Sequence, residues 1–238
     1  MINDNFYKAI ILEDSQLDKL PIPQALVVDL DLTLYNITKH YDYYVNKTLI
    51  HFEKEELSQQ ELDQLGGYNF NSSRDFFVKF IGEEIADSAV TYYFEHFLKK
   101  AIAQDVLILG AKELLYLVKK RFKLPIIALT NCEEFLAIKI LNDLNMFQLF
   151  DQVIGIVDDP SLKKPNTHLL FKAFKNMNIQ PGPHIWFVGD LATDTQCARD
   201  ANCTSIRFYN DLKPDDKNAD YFINSHYHLF NIINSKFK

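Results

Sequence analysis

Short apolar runs alternate with longer helical patterns through the second half of the chain. The runs are rich in β-branched or aromatic residues and too short for helices, at 124–129, 153–157, 185–188 and 204–208. Apolar positions three and four apart predict helices between them, at 132–146, 166–177 and 192–201. An earlier apolar run, Ala25 to Val28, adds a first strand. This alternation predicts an α/β fold, a parallel sheet with helices on both faces.

Residues 36–105 contain no convincing strand. Their apolar spacing predicts three helices, at 40–57, 74–81 and 88–103. Ser72, followed three residues later by Asp75, resembles a capping box for the second of them. The many aromatic residues of this stretch are expected to pack among themselves. The sequence therefore predicts an α/β core, residues 1–35 and 106–238, and a helical insert, residues 36–105.

Composition and charge narrow the classes of partner. The chain has 238 residues, 47% of them hydrophobic, with a net charge of −7 and a pI near 5.5. An acidic protein of this kind has no general attraction to nucleic acid or to an anionic membrane. No apolar run reaches a membrane span, the first residues lack a basic leader, and the three cysteines have no metal-type spacing. We therefore expect a soluble cytoplasmic protein with reduced thiols and no nucleic-acid or membrane partner.

Polar residues stand at the carboxyl ends of the predicted strands, where open α/β sheets bind ligands. They are Asp29, Asp31 and Thr33 after the first strand, Thr130 and Asn131 after the second, and Asp190 with Asp194 after a later one. Lys163-Lys164-Pro165 is predicted to open a helix at the same rim, because proline suits the first helical position. Two carboxylates one residue apart repel each other, and burying either without a partner is costly. We therefore expect the rim either to bind a cation or to catalyse a reaction that uses these acids.

The four segments together resemble the motifs of the haloacid dehalogenase-like (HAD) hydrolase superfamily, in the phosphatase branch with a helical cap after the first strand. The matching stretches are VVDLDLT from Val27, ALTN from Ala128, KP at Lys164 and VGDLATD from Val188. The resemblance covers about residues 24–225 and implies a Rossmann-like parallel sheet plus a small all-helical cap domain. It implies a Mg²⁺-dependent phosphomonoester hydrolase whose partner is a small phosphorylated substrate, phosphoglycolate-like or pyrimidine-nucleotide-like.

The resemblance also implies roles for the acidic residues. Asp29 is the expected nucleophile, which forms an aspartyl-phosphate, and Asp31 is the expected acid that protonates the leaving oxygen and later deprotonates water. Mg²⁺ would be held by Asp29, the backbone carbonyl of Asp31 and Asp190, with Asp194 as a further ligand or as a residue that orients one. The cation would offset the repulsion among these carboxylates and between them and an anionic substrate.

Three residues are expected to bind the phosphoryl group. Thr130 would donate its hydroxyl, and the backbone amide of Asn131 would lie at a helix start, which suits anions. Lys164 would neutralise the charge of the transition state, and it is preferred to Lys163 because it directly precedes the proline. Thr33 is expected to brace the nucleophile loop by hydrogen bonding.

Substrate choice is expected to lie in the cap. Residues predicted to face the substrate are Tyr35, Asn36 and Arg74, together with His40, Tyr44 and Asn69. Arg74 is the single arginine of the insert, so it is expected either to bind a second anionic group or to pair with a neighbouring acid.

Several alternative functions share parts of this pattern. A sugar phosphomutase of the same family would use the same rim residues and return the phosphoryl group to a sugar. A dehalogenase would leave Asp31 and Asp190 unexplained, and a phospho-acceptor receiver domain would be shorter and lack the insert. A catalytically silent binding protein on this fold is a further alternative, against which the intact motifs argue.

Overall fold

The computed structural model describes residues 20–65, 73–157, 159–209 and 214–237. Its strands are β1 (Ala25–Val28), β2 (Ile126–Glu133), β3 (Gln152–Ile156), β4 (Ile185–Gly189), β5 (Thr204–Phe208) and β6 (Tyr221–Ile223). They form one parallel sheet in the order β3-β2-β1-β4-β5-β6. The strand order reverses at β1, which places β2 on one side of it and β4 on the other. The predicted α/β fold class is confirmed.

Helices connect the strands and fill the insert. They are α1 (Thr38–His51), α2 (Gln59–Leu65), α3 (Ser73–Ile81), α4 (Ala86–Lys99), α5 (Ala111–Leu117), α6 (Glu134–Asp143), α7 (His168–Met177), α8 (Ala192–Asp200) and α9 (His226–Lys236). In the parts of the chain that the structure describes, no helix has the length and apolar character needed to cross a membrane.

The sheet is buried on both faces because side chains alternate along each strand. In β1, Leu26 and Val28 face a core that contains apolar residues of α5, α6, α9 and the insert. Ala25 and Val27 face a second core, built mainly with apolar residues of α7 and α8. Burial on both sides explains why β1 is a continuous apolar run, and it fixes the position of the polar residues that follow.

The insert between β1 and β2 is helical in its described residues, and its aromatic side chains pack together. Tyr41 stacks on Phe97 with ring centroids 5.5 Å apart, and Phe97 also stacks on Tyr93. These contacts confirm the expected aromatic core. The predicted division into residues 1–35 with 106–238 and residues 36–105 stays a prediction, and the expected capping residue Ser72 lies outside the described residues.

Two expected helix starts are wrong. Pro165, whose peptide bond with Lys164 is cis, lies in a turn and not at the first position of a helix. The side chain of Asn166 accepts a hydrogen bond of 2.9 Å from the amide of His168, where α7 begins. The second wrong helix start is the one predicted at residue 132. There β2 continues through Asn131 to Glu133, because pairing with β3 resumes at Glu133 after a register shift.

Candidate active site

Asp29 lies at the centre of the rim formed by the carboxyl ends of the strands. Its amide donates to the carbonyl of Val188 at 2.9 Å, which extends the pairing of β1 with β4 by one residue. The side chain is only 6% exposed. The Thr33 hydroxyl lies 3.2 Å from Asp29 Oδ2 and 3.3 Å from Asp190 Oδ1, so it can donate to either carboxylate. This placement supports the bracing role that the sequence suggested for Thr33.

Lys164 is buried against the same acids. Its Nζ contacts Asp29 Oδ1, lies 2.6 Å from Asp194 Oδ1 and donates to the carbonyl of Leu129 at 3.0 Å. Asn131 holds the backbone of Lys164 from both sides, since its Oδ1 accepts from the Lys164 amide at 2.7 Å and its Nδ2 donates to the Lys164 carbonyl at 3.3 Å. The lysine is therefore fixed to β2 and directed at Asp29. The preference for Lys164 over Lys163 as the residue that binds the phosphoryl group stays a prediction.

Asp29, Asp190 and Asp194 form a cluster whose ligand oxygens all lie within 4.8 Å of one another. Asp194 is held in place by its Oδ2, which accepts a hydrogen bond of 2.9 Å from the amide of Leu191. A compact set of carboxylate oxygens is the donor set that a hard divalent cation such as Mg²⁺ prefers. The residues present therefore fit the expected metal, in a site that includes Asp29.

Gly189 makes room for this cluster. A Cβ placed on Gly189 would overlap the carboxylate of Asp194, because that side chain folds back over the end of β4. Only glycine leaves the space that the Asp194 carboxylate occupies.

Replacement of Gly189 by alanine is expected to displace Asp194 and to weaken both the lysine contact and the cation site. We expect activity or apparent Mg²⁺ affinity to fall by about 10- to 100-fold, the usual effect of disturbing a residue that orients metal ligands. Isothermal titration with MgCl₂ and initial rates would measure this. Wild-type affinity and rate in the variant would show that the position of Asp194 is unimportant.

The electrostatics of the cluster oppose full ionisation of the acids. Burial raises the pKa of Asp29, Lys164 opposes the rise, and Asp194 and Asp190 add to it. The pKa of Asp190 is also raised, first by burial and then by Asp194. Burial lowers the pKa of Lys164, but Asp194 and Asp29 together raise it above the ordinary lysine value. The lysine therefore stays charged, and the acids around it favour an added cation.

Asp31 lies two residues after Asp29, in the loop that leads from β1 towards the insert. Its pKa is raised to about 7, mainly by burial and further by the charge of Asp29. A carboxyl group with a pKa near neutrality can both donate and accept a proton, which general acid–base catalysis requires. The next residue, Leu32, has a φ of 57°, a left-handed conformation that favours glycine, and its amide donates to the carbonyl of Tyr35 at 2.7 Å. This tight turn follows Asp31 and directs the chain into the insert.

Thr130 is 4% exposed, and its hydroxyl oxygen accepts a hydrogen bond of 3.1 Å from the amide of Cys132. The hydroxyl proton is then available for another acceptor. The Asn131 amide lies in β2 and not at a helix start, so the expected helix-dipole contribution to anion binding is wrong. The part of Asn131 with a clear role is the side chain that holds Lys164.

A family model described as haloacid dehalogenase-like hydrolase matches residues 26–208, which include all four polar segments of the rim. The chain belongs to this family. The match confirms the expected superfamily and the expectation of a hydrolase.

A curated relative and several solved structures are similar to this HAD-like hydrolase. A phosphoglycolate phosphatase of Chromobacterium violaceum is 30% identical over 115 residues, 48% of this chain and 51% of the relative, so the match spans about half the length of each. A predicted phosphoglycolate phosphatase from Haemophilus somnus 129pt is 19% identical with a TM-score of 0.72, covering 90% of this chain and 99% of that one. A β-phosphoglucomutase from Clostridium difficile is 19% identical with a TM-score of 0.69, covering 90% of this chain and 97% of that one. The structural matches show the fold.

The cap residues predicted to face substrate occupy different environments. Tyr35 is 1% exposed. Burial is the main cause of the raised pKa of its phenol, and the charge of Asp31 raises that pKa further. Asn36 is exposed, and its Oδ1 accepts a hydrogen bond of 3.0 Å from the amide of Thr38. Asn36 and His40 line a cavity of about 620 Å³ whose lining includes none of the rim residues of the HAD-like site.

Arg74 of this HAD-like hydrolase pairs with acids of the cap. Its Nη2 lies 2.7 Å from Glu83 and its Nε 2.8 Å from Asp87, with much of the side chain exposed. This is the ion-pair alternative, so contact of Arg74 with substrate stays a prediction. Tyr44 is buried beside Phe97, and Asn69 lies outside the described residues.

Two residues near the site were missed in the sequence. His226, in α9, is fully buried, and its Nε2 lies 2.8 Å from the carbonyl of Thr33. Burial lowers the pKa of His226 to about 4, so the neutral ring donates this hydrogen bond. Arg207, in β5, pairs with Gly189 at the end of β4, and its charge lowers the pKa of Asp190. Neither residue belongs to a local pattern, and only the tertiary fold brings them to the rim.

Proposed function

We propose that this HAD-like hydrolase is a Mg²⁺-dependent phosphatase that hydrolyses the monoester of a small phosphorylated metabolite through an aspartyl-phosphate on Asp29. The observation that carries the proposal is the contact of Lys164 with both Asp29 and Asp194, beside Asp190. One lysine and two further acids around the central Asp29 carboxylate would provide a nucleophile together with positive charge for a phosphoryl group.

The first step transfers the phosphoryl group to the protein. A carboxylate oxygen of Asp29 forms a bond to phosphorus while the bond from phosphorus to the ester oxygen breaks. Asp31 gives its proton to the departing oxygen, which leaves as an alcohol. The raised pKa of Asp31, about 7, supports this role because part of the population is protonated at neutral pH.

The second step regenerates the protein. Asp31, now ionised, takes a proton from water as the water oxygen attacks phosphorus and the bond from phosphorus to Asp29 breaks. The products are inorganic phosphate and free Asp29, so the atoms balance over the two steps. Lys164 and the Thr130 hydroxyl would hold phosphoryl oxygens throughout, since both reach the rim next to Asp29.

Asp29, Asp190 and Asp194, with the backbone carbonyl of Asp31, would hold the metal. When bound, Mg²⁺ supplies charge neutralisation between the carboxylates and the anionic substrate. Removal of the metal with EDTA is expected to abolish activity, and MgCl₂ in excess is expected to restore it.

The test is release of inorganic phosphate from a panel of phosphorylated metabolites, with MgCl₂ and with EDTA. The panel contains phosphoglycolate and nucleoside monophosphates, the two classes that the sequence suggested, and the name of the curated relative supports the first. Magnesium-dependent release from at least one ester is the expected result. Conversion of one sugar phosphate into its isomer without phosphate release would instead identify a phosphomutase, and inactivity on every ester would contradict both enzymes.

Replacement of Asp31 by asparagine is expected to lower kcat for an alkyl phosphate by about 10²- to 10⁴-fold, the contribution of general acid–base catalysis. The first step with p-nitrophenyl phosphate should lose much less, because its leaving group needs little protonation. Rapid-quench measurement of nitrophenol release from one ester and of alcohol release from the other compares the two substrates. Equal losses on both would contradict the role of Asp31 as the acid. Thermal stabilisation by MgCl₂ is expected to be retained in part, which separates this effect from loss of the metal.

A further inference from the structure

The ring of His226 is enclosed in the core and directed at the loop that follows β1. His226 is the first residue of α9, and its ring stacks on Phe208, the last residue of β5, with centroids 4.8 Å apart and planes 10° apart. Its Nε2 lies 2.8 Å from the carbonyl oxygen of Thr33. A carbonyl oxygen only accepts hydrogen bonds, so Nε2 carries a proton and donates it. The family match ends at residue 208, so His226 lies outside the matched segment.

Packing alone does not favour a histidine at this position. Burial lowers the pKa of His226 to about 4, so the neutral ring carries its one proton on Nε2 and its Nδ1 can only accept. Nδ1 is buried, and no group of the described residues donates a hydrogen bond to it. A buried polar atom without a partner destabilises a fold, whereas phenylalanine would fill nearly the same space and stack on Phe208. What histidine adds over an apolar ring is therefore the donor to Thr33.

Thr33, whose carbonyl accepts this hydrogen bond, has its hydroxyl between two rim acids. Thr33 Oγ1 lies 3.2 Å from Asp29 Oδ2 and 3.3 Å from Asp190 Oδ1. Threonine is β-branched and has few side-chain conformations, so the position of its backbone largely determines the position of its hydroxyl. No backbone amide of the described residues donates to the Thr33 carbonyl. The His226 ring is therefore the donor that restrains this peptide group.

The two oxygens of the Asp29 carboxylate have different partners. Oδ1 contacts Lys164 Nζ, and Oδ2 faces the Thr33 hydroxyl. Together these two contacts restrict rotation of the carboxylate, whereas the lysine contact alone leaves it free to turn. An oxygen that attacks phosphorus must be aligned with the bond that breaks, and a misplacement of about 1 Å can cost about 100-fold in rate. His226 can therefore affect the reaction without contacting any reacting group.

We infer that His226 is a positioning residue, which holds the Thr33 hydroxyl between Asp29 and Asp190 and so keeps the Asp29 carboxylate oriented for attack. The inference rests on the proposed phosphatase function, because the orientation of Asp29 affects turnover only if Asp29 reacts. It gives α9, an element outside the family match, a role in the reaction that runs from the histidine ring through the Thr33 backbone to the Thr33 hydroxyl.

Replacement of His226 by phenylalanine removes the donor and keeps the ring. We expect kcat for p-nitrophenyl phosphate to fall by about 10- to 100-fold with KM changed by no more than about two-fold, because orientation is lost and substrate binding is not. His226→Gln is the rescue variant, since its amide nitrogen can donate from about the place of Nε2, and its kcat should stay within about three-fold of wild type. An unchanged kcat in His226→Phe, or an equal loss in His226→Gln, would overturn the inference.

His228→Phe is the matched control, because it makes the same change two residues along α9. The ring of His228 lies beside that of Tyr221 in β6, with centroids 5.9 Å apart. Its replacement should change kcat by no more than about two-fold. A loss in His228→Phe as large as that in His226→Phe would show that any disturbance of α9 lowers activity, which contradicts a specific role of His226.

Thr33→Val shows whether His226 acts through the Thr33 hydroxyl, because valine lacks the hydroxyl and has nearly the same shape. Two changes on one route do not multiply, so kcat of the double variant His226→Phe, Thr33→Val should lie within about three-fold of the lower single variant. If the two losses multiplied, the histidine would act by another route and the inference would fail.

Titration with MgCl₂ gives a measurement that needs no substrate. Asp29 and Asp190, the acids that Thr33 faces, both belong to the proposed cation site. By isothermal titration, we expect the apparent dissociation constant of Mg²⁺ to rise by about ten-fold in His226→Phe and much less in His226→Gln. If the wild type binds Mg²⁺ but hydrolyses no ester, the phosphatase function fails and this titration still decides on His226. If the wild type hydrolyses esters and His226→Phe equals it in both rate and affinity, only the positioning role fails.

Discussion

Replacement of Asp29 by asparagine is expected to abolish turnover, lowering kcat by about 10⁴-fold or more, as loss of a nucleophile does in other covalent mechanisms. An amide cannot form the aspartyl-phosphate, and it also removes one of the three carboxylates of the proposed cation site. Phosphate release with a good substrate measures the loss. Trapping of radioactive phosphate on the protein after acid quench should succeed with the wild type and fail with the variant.

A matched control for this experiment is Asp200→Asn in α8. Asp200 is an exposed acid that accepts a hydrogen bond from Gln196, so its replacement should change kcat by no more than about two-fold. Phosphate release by Asp29→Asn at the wild-type rate would remove the covalent mechanism. If Asp29→Asn still trapped phosphate on the protein but had no turnover, a residue other than Asp29 would be the phosphoryl acceptor.

Replacement of Lys164 by methionine is expected to lower both stability and activity. Asp29 and Asp194 would lose the cation that contacts them in a site where Lys164 is 7% exposed. Removal of one partner of a buried ion pair costs about 3–5 kcal/mol of the free energy of unfolding, because the remaining charge stays buried. Activity should fall by about 10²- to 10³-fold or more, since charge stabilisation of the transition state is lost.

Adding MgCl₂ tests whether the lost positive charge explains the lower stability of Lys164→Met. A cation bound to the acids would replace part of the missing positive charge, so MgCl₂ should raise the free energy of unfolding of Lys164→Met more than that of the wild type. Urea unfolding with MgCl₂ and with EDTA measures the difference. Lys163→Met is the control, because Lys163 makes no ion pair within 4.0 Å among the described residues. Equal stabilisation of all three proteins would contradict a metal site at these acids.

The sequence predicted the parts of the fold that depend on local patterns. The residues of β5 were expected at 204–208 and are found there, because the segment is short and rich in β-branched and aromatic residues. Asp29 and Asp190 could be expected at the rim because they directly follow β1 and β4. By contrast, β6, from Tyr221 to Ile223, is too short to show a pattern, and it is a strand because β5 offers it an edge.

The residues that sequence reasoning missed depend on contacts between distant segments. Glu133 appeared to start a helix, yet β2 continues to it and buries its side chain beside Cys132. The start of α9 did carry a local signal, since the Ser225 hydroxyl accepts from the amide of Tyr227 at 3.1 Å, but nothing in that signal indicates that the adjacent His226 reaches the catalytic loop.

The hydrogen bond from His226 to the carbonyl of Thr33 joins residues 193 positions apart. The ribosome would therefore complete the loop that carries Asp29 and Asp31 well before it adds His226, and until then the loop would lack this support. A premature stop codon ahead of α9 would leave every proposed catalytic residue encoded and yet remove the brace beneath them. Loss of α9 is thus expected to inactivate the protein without changing any residue of the proposed reaction.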